Sequence, residues 1–234
     1  MITYIRLFFI VLHSFLCSVL ALISLLIDRS FTTYFLLSRL YPWGVLKISG
    51  IKLEVTGKEN VDPNQVYVYV ANHSSLYDIS AMQAAFPNNA VMVFKKELSK
   101  IPVFGWQLYL GPYIFIDRDN AEKAMKSIQR AKEQMEKRKI SVLLFAEGTR
   151  SKTGEVQPFK RGAFYLASKV GFPVVPTSIS GTSKILPKGK LKIVPGTIKV
   201  HFEKPIPTEN VKTRAEEIAL METVRNIIIE HKEN

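Results

Sequence analysis

The chain has one cysteine, Cys17, and it sits inside an apolar run. That excludes an intramolecular disulfide, a cysteine-based zinc site and a thiol nucleophile in any water-soluble part, and it fits a reducing compartment. No G-x-S-x-G elbow is present, so a serine nucleophile of that type is excluded as well. His73, His201 and His231 lack zinc-ligand spacing, and no metal is expected. Acidic residues are scarce: 20 Asp and Glu stand against 32 Lys and Arg, a formal charge of +12. This balance favours anionic partners, among them phospholipid surfaces, phosphorylated substrates, acidic proteins and nucleic acid, without choosing among them. The sequence also has no internal repeat, low-complexity tract or interdomain linker, and 234 residues accommodate one α/β domain plus an attachment segment.

What it does have is a long hydrophobic run. Leu7 to Ile27 is a 21-residue stretch whose only titratable groups are His13 and Cys17. At about 1.5 Å per residue a helix here reaches roughly 31 Å, enough to cross a bilayer core. The run is long for a cleaved signal peptide and no A-x-A site follows it, so retention is expected. Arg29, Arg39 and Lys47 follow the run and only Arg6 precedes it, which predicts a cytoplasmic remainder. The next segment, Ser30 to Ile48, mixes aromatic, leucine and basic residues as an interfacial helix does, and Pro42 and Gly44 are expected to break it. A spanning helix and a helix pair dipping into one leaflet both fit. Residues 1–50 are accordingly assigned to membrane attachment and 51–234 to the α/β domain.

From about Lys52 short β-rich runs alternate with helical patterns. VYVYVA (66–71), AVMVF (90–94), YIFI (113–116), VLLFA (142–146), VVPTSI (174–179) and TIKVHF (197–202) read as strands. The alternation predicts an α/β fold, a mixed sheet covered by helices, preceded by the membrane-attachment helix or helix pair. Asp119 to Lys139 carries Ala121, Ala124, Met125, Ile128, Ala131 and Met135 at helical spacing behind Asp119-x-x-Glu122. A closing helix is expected from Thr213, with Glu216 completing a capping box and Ile218, Met221, Val224 and Ile228 buried.

Two strand ends carry the chemistry. VYVYVA runs into Asn72-His73-Ser74-Ser75-Leu76-Tyr77-Asp78, where Ser74 or Ser75 is the expected N-cap of the following helix. With Ser74 as cap, His73 and Asp78 occupy the two positions that a hydrophobic staple brings together. Asp78 can then bind one imidazole nitrogen and leave the other free to accept a proton. An imidazole suits proton removal from an alcohol near neutrality, and without a protein nucleophile in view the acceptor hydroxyl itself is the natural attacking group. Taken alone, a His-x-x-x-x-Asp is more often a capped helix start. VLLFA in turn delivers Glu147-Gly148-Thr149-Arg150 to its carboxyl end, where open α/β sheets place their ligand crevice. Gly148 permits a tight backbone, and Arg150 offers a planar fork suited to phosphate. Glu147 could hold a substrate hydroxyl or orient Arg150. Backbone N–H groups after Asn72 or near Gly148 are candidates to stabilise an oxyanion.

The ordered pair N-H-x-x-x-x-D at 72–78 and E-G-T-R at 147–150 resembles the glycerolipid acyltransferases, specifically the 1-acylglycerol-3-phosphate acyltransferase family. Lys95-Lys96-Glu97-Leu98, Ile101-Pro102, Gly105 and Gly111-Pro112-Tyr113-Ile114-Phe115-Ile116-Asp117-Arg118 are similar to its second block. Phe159-Lys160-Arg161-Gly162-Ala163 and Pro173-Val174-Val175-Pro176 are similar to later ones. Ser74 stands where a Gln is common and Thr177 where an aliphatic is common.

This resemblance implies transfer of a fatty acyl group from an acyl thioester to the free 2-hydroxyl of lysophosphatidic acid (1-acyl-sn-glycerol 3-phosphate), giving phosphatidic acid. His73 would be the base and Asp78 its orienter. Glu147, Gly148, Thr149, Arg150 and Arg118 would position the glycerol phosphate, with Lys95, Lys96, Lys160 and Arg161 as further phosphate contacts. No cofactor is implied. The donor would be acyl carrier protein or coenzyme A thioester, and the partners a phospholipid membrane and the lysolipid, with no nucleic acid. Other acceptors, glycerol 3-phosphate or another lysolipid, share the chemistry, and a hydrolase would share the base and orienter. A non-catalytic basic membrane-surface or nucleic-acid binder would leave the ordered motifs unexplained.

Overall fold

The computed structural model describes residues 1–116 and 121–233. Its frame is a seven-stranded sheet in the order β1-β7-β6-β2-β5-β3-β4. The strands are β1 (Ile51–Thr56), β2 (Val68–Ala71), β3 (Ala90–Lys95), β4 (Ile114–Ile116), β5 (Ser141–Phe145), β6 (Val174–Ser180) and β7 (Gly196–Phe202). Strands β2 to β6 run parallel, whereas β7 is antiparallel to β6 and pairs in parallel with β1 at the edge. All six apolar runs become strands. β1 joins them because Ile51, Leu53 and Val55 alternate with Lys52, Glu54 and Thr56, a period-two signal too diluted by charge to stand out as an apolar run.

Nine helices are assigned among the described residues: α1 (Ile2–Ile27), α2 (Thr32–Ser38), α3 (Leu40–Ser49), α4 (Tyr77–Ala85), α5 (Phe104–Leu110), α6 (Ala121–Arg138), α7 (Arg161–Val170), α8 (Thr182–Ile185) and α9 (Arg214–His231). They divide over the two faces of the sheet. Val68, Val70, Val142 and Leu144 face one core with Ala131, Met135, Phe164 and Val224. Tyr69, Ala71, Leu143 and Val175 face the other with Leu46, Ala81 and Ile185. Complete burial of β2 and near-complete burial of β5 on both faces is what parallel central strands require, and each fully buried valine contributes roughly 1.5–3 kcal/mol.

The helices amend two expectations. Pro42 and Gly44 do not break the segment after α1; the break falls at Arg39, and both residues lie within α3. Pro42 is tolerated in the first turn, where its missing N–H has no intrahelical acceptor to lose. Gly44 leaves room for the His13 ring, which would meet an added Cβ at 2.1 Å. In α6, Ile128, Ala131 and Met135 are buried as spaced, while the Asp119 cap lies outside the described residues. In α9 the Thr213–Glu216 capping box forms, but the buried stripe is Glu217, Leu220, Val224 and Ile228 instead of one running through Ile218 and Met221. The rotation follows from Glu217, whose carboxylate accepts from Arg161 and Ser168 on α7.

α1 is built inside-out. Its buried residues are Ser18, Ala21 and Ser24, while Phe8, Val11, Phe15, Leu16 and Leu26 are exposed. Small residues allow it to pack closely against α2, α3 and α5. It is one helix long and apolar enough to cross a membrane.

Candidate active site

Strand register brings the two motifs together. β2 lies between β5 and β6, with Ala71 opposite both Phe145 and Thr177. Two residues beyond that level stand His73 and Glu147, and the His73 N–H donates to Glu147 Oε1 at 2.7 Å. On the other side, the buried Asn72 amide continues the ladder after β2 ends: its Nδ2 donates to the Ile179 carbonyl at 2.9 Å and its Oδ1 accepts from the Ile179 N–H at 2.8 Å. Thus the residue before the histidine is locked to β6 and the histidine itself to the β5 loop.

The His73–Asp78 contact forms, by a different local route from the expected cap. α4 starts at Tyr77, with Leu76 at its N-cap position and no side-chain cap. Neither Ser74 nor Ser75 occupies that position. Asp78, in the first turn, reaches back instead: its Oδ2 accepts from the Ser74 N–H at 2.7 Å, the Ser75 N–H at 2.8 Å and His73 Nδ1 at 2.7 Å. A carboxylate at a helix start also meets the positive end of the peptide dipoles. Because backbone N–H groups can only donate, Oδ2 is the acceptor throughout, so Nδ1 carries a ring proton, and in the neutral imidazole Nε2 presents a lone pair. Nε2 has no partner among the described residues. The ring stacks on Phe145, with centroids 4.0 Å apart and planes 14° from parallel, and the His73 carbonyl accepts from the Ser151 N–H at 2.7 Å. Ring and backbone are therefore both fixed, which is the preorganisation a proton acceptor needs.

Glu147 serves this loop, with each of its carboxylate oxygens holding a protein donor. It is only 2% exposed; Oε1 takes the His73 N–H, and Oε2 takes Gln157 Nε2 at 2.9 Å. Burial pushes its carboxyl pKa up, partly offset by these bonds. Gln157 is held in turn by α9, where Arg225 donates to the carbonyls of Gln157 and Val156 at 3.3 Å each. The expected oxyanion donors are likewise committed: the N–H groups of residues 73–75 go to Glu147 and Asp78, and that of Gly148 to the Phe145 carbonyl.

Cations line the β5 side. Gly148 adopts a left-handed φ of 70°, and an added Cβ would meet the Lys160 side chain at 3.0 Å, so Lys160 lies across the motif. Lys188 Nζ donates to Thr149 Oγ1 at 3.1 Å and to the Arg150 carbonyl at 2.7 Å. The half-buried Arg150 side chain has no bond among the described residues, whereas Arg161 is paired with Glu217 at 2.7 Å. Lys96 is exposed just after β3. Arg118 and the side chain of Lys95 lie outside the described residues. Sequence reasoning did not reach Phe145, Gln157, Lys188 or Arg225; only Phe145, at the strand end level with Ala71, had a signal in the alternating pattern.

A cavity of about 80 Å³ opens between α1, α2, α4 and α5, lined by Cys17, Tyr34, Ile79, Phe94, Leu108 and Tyr113 among others. A larger, open groove of about 910 Å³ lies along α3 and β1 and includes none of the motif residues.

The acyltransferase family model matches residues 52–180, from β1 through β6. A 1-acyl-sn-glycerol-3-phosphate acyltransferase of Saccharomyces cerevisiae is 32% identical over 206 residues, covering 87% of this chain and 65% of its own length. The human alpha enzyme of the same name is 33% identical over 180 residues, 77% of this chain and 63% of that protein. The chain thus spans somewhat under two thirds of the length of these curated relatives. The crystal structure of the 1-acyl-sn-glycerophosphate acyltransferase of Thermotoga maritima shares the fold, with a TM-score of 0.78 over 98% of this chain and 95% of that one at 24% identity. With a family model covering more than half its length and relatives of this identity, the chain belongs to the acyltransferase family.

Proposed function

We propose that the chain transfers a fatty acyl group from an acyl carrier protein or coenzyme A thioester to the free 2-hydroxyl of 1-acyl-sn-glycerol 3-phosphate, yielding phosphatidic acid. The observation that carries this reading is His73, held by Asp78 through Nδ1 with its Nε2 lone pair free. Nε2 takes the hydroxyl proton as the oxygen attacks the thioester carbon. The tetrahedral intermediate then collapses, the carbon–sulfur bond breaks, and the departing thiolate recovers the proton from His73. Arg150, with Lys160 and Lys188 beside it, receives the phosphate by charge-assisted hydrogen bonds. Relatives that carry the name of this reaction support the choice of acceptor.

The same reading covers attachment. The exposed apolar side chains of α1 and Trp43 on α3 face lipid, and the acceptor and product remain in the bilayer. Arg29, Arg39 and Lys47 after the apolar run support a catalytic domain on the cytoplasmic side of the cell membrane.

The test is acyl transfer by purified protein in phospholipid vesicles, with both thioesters offered, beside His73→Ala. Wild-type product formation is expected, with a loss on the order of a hundred- to ten-thousandfold in kcat for the variant. Equal activity in both would remove His73 from the mechanism, and a wild type inert on this acceptor but active on glycerol 3-phosphate would reassign the substrate.

A further inference from the structure

A second cluster of titratable side chains lies two strands from the catalytic loop. His201 is in β7 and Glu203 just beyond its end, two residues apart and so on the same side of the chain. His231 ends α9. The fold brings together histidines that the sequence separates by the whole of that helix. Glu203 Oε1 lies 2.9 Å from His201 Nε2 and 3.0 Å from His231 Nε2. The rings stack, with centroids 5.1 Å apart and planes 11° from parallel.

We propose that His201, Glu203 and His231 form a binding site for a zinc-class divalent cation. Two imidazoles and a carboxylate are the donor set such an ion prefers, and one candidate ligand atom from each residue lies within 4.8 Å of the others. Tetrahedral ligands at about 2.0–2.2 Å from zinc stand roughly 3.3 Å from one another. Opening the two N···O contacts by a few tenths of an ångström therefore admits the ion. Both rings are already oriented from behind: His201 Nδ1 contacts Thr56 Oγ1 at 2.7 Å and His231 Nδ1 contacts the Ile227 carbonyl at 3.1 Å. These are the outer contacts that fix a ligating tautomer.

The hydrogen bonding is compatible with such an ion. A carbonyl only accepts, so His231 Nδ1 must carry its proton, and Nε2 then faces a carboxylate oxygen. That contact needs one further proton, on the ring or on the carboxyl, or a cation between the two atoms. Partial exposure of all three side chains leaves an entry path and a fourth position for water.

The ion would tie the last turn of α9 to β7, where Lys199–Glu233 and the Ser180 Oγ contact to the Glu233 N–H already hold the chain end. α9 also carries Arg225, which supports the Gln157–Glu147 side of the catalytic loop. The proposal is independent of the acyl-transfer reading.

The experiment is calorimetric titration of zinc chloride into chelator-stripped full-length protein in detergent, paired with thermal melting. One zinc per chain is expected to bind, with affinity at least tenfold lower in Glu203→Gln and in His231→Gln, and unchanged in His73→Ala. Free zinc about a hundredfold above Kd should raise the wild-type melting temperature by about 5 °C and leave both cluster variants nearly unmoved. Glu203→Gln is near-isosteric and His231 sits at a helix end, so folding, checked by circular dichroism, is expected to persist. Absence of stoichiometric binding, or binding that survives both cluster substitutions, would overturn the site in favour of a proton-bridged His–Glu–His contact.

Discussion

The ends of β2 and β5 stand side by side, yet the sequence after each is used differently. Beyond β2 the polar groups turn inward: Asn72 binds Ile179, the N–H groups of residues 73–75 meet carboxylates, and Asp78 is fully buried. Beyond β5 Glu147 and Ser151 do so, while Thr149 between them is exposed and Arg150 half-buried beside Lys160 and Lys188. The first end fixes a proton acceptor whose effect depends on sub-ångström placement. The second keeps long cationic side chains adjustable toward a phosphate, whose recognition tolerates more movement. Rigidity is concentrated where a proton moves, and charge where an anion docks.

The largest predicted effect breaks the first end. Asp78→Asn removes the charge that holds Nδ1–H and frees the ring to take the wrong tautomer. Its kcat should fall on the order of a hundred- to ten-thousandfold, with KM for the lysolipid changed much less, as measured by steady-state acyl transfer. A variant that raised KM alone would show the pair to be a binding element. Arg150→Ala acts on the second end and should do the reverse. Loss of charge-assisted bonds to phosphate, about 1.5–3 kcal/mol, should raise KM by roughly ten- to a hundredfold with kcat nearly intact. If kcat collapsed while KM held, Arg150 would belong with the proton-transfer geometry.

Glu147 joins the two ends, and its substitution sharpens the contrast. In Glu147→Gln the amide keeps an oxygen for the His73 N–H but loses the charge, a change of about 1 kcal/mol, so kcat should drop five- to tenfold. The pH dependence has a definite sign. Because burial raises its pKa, folded protein retains a proton there at pH values where unfolded chain has lost it. Stability therefore falls as pH climbs from the ordinary glutamate range through the raised value. Urea midpoints from about pH 4 to about pH 7 should show this downward contribution in wild type and lack it in the variant. Parallel curves would mean that the bonds from His73 and Gln157 cancel the burial.

Much of this contrast is legible in the sequence because it rests on local pattern. Apolar runs that stop at Asn72 and Ala146 announce strand ends, and the residue types that follow announce a base and an anion site. The contact of His73 with Asp78 was legible too, but its means was not: a serine cap and a carboxylate reaching back to two backbone N–H groups differ only in backbone angles over Ser74–Leu76, which no residue preference decides. Arg225 and Gln157 were invisible because they act on the site through α9, whose docking is a tertiary event. The same cause hid the meeting of His201 with His231, and let Glu217, a charged residue, take a place in the buried stripe of α9.

Arg161 gives the smallest effect and the cleanest test of how far motif resemblance assigns a role. It follows Lys160, which lies across Gly148, and by sequence alone the two are equal candidates for phosphate. The structure separates them. Arg161 Nη1 is bonded to Glu217, which is itself 3% exposed and otherwise accepts only from Ser168 among the described residues. Removing the guanidinium strands a buried carboxylate with one neutral donor, so Arg161→Ala should cost about 1–2 kcal/mol in urea unfolding and lower the melting temperature by several degrees. The pair is open to water on the arginine side, which keeps the value near the modest end for ion pairs. KM and kcat should stay within about twofold of wild type, because the contact joins α7 to α9 and faces no substrate. A rise in KM comparable to that of Arg150→Ala, with stability unchanged, would show that Arg161 leaves Glu217 for the phosphate when substrate binds.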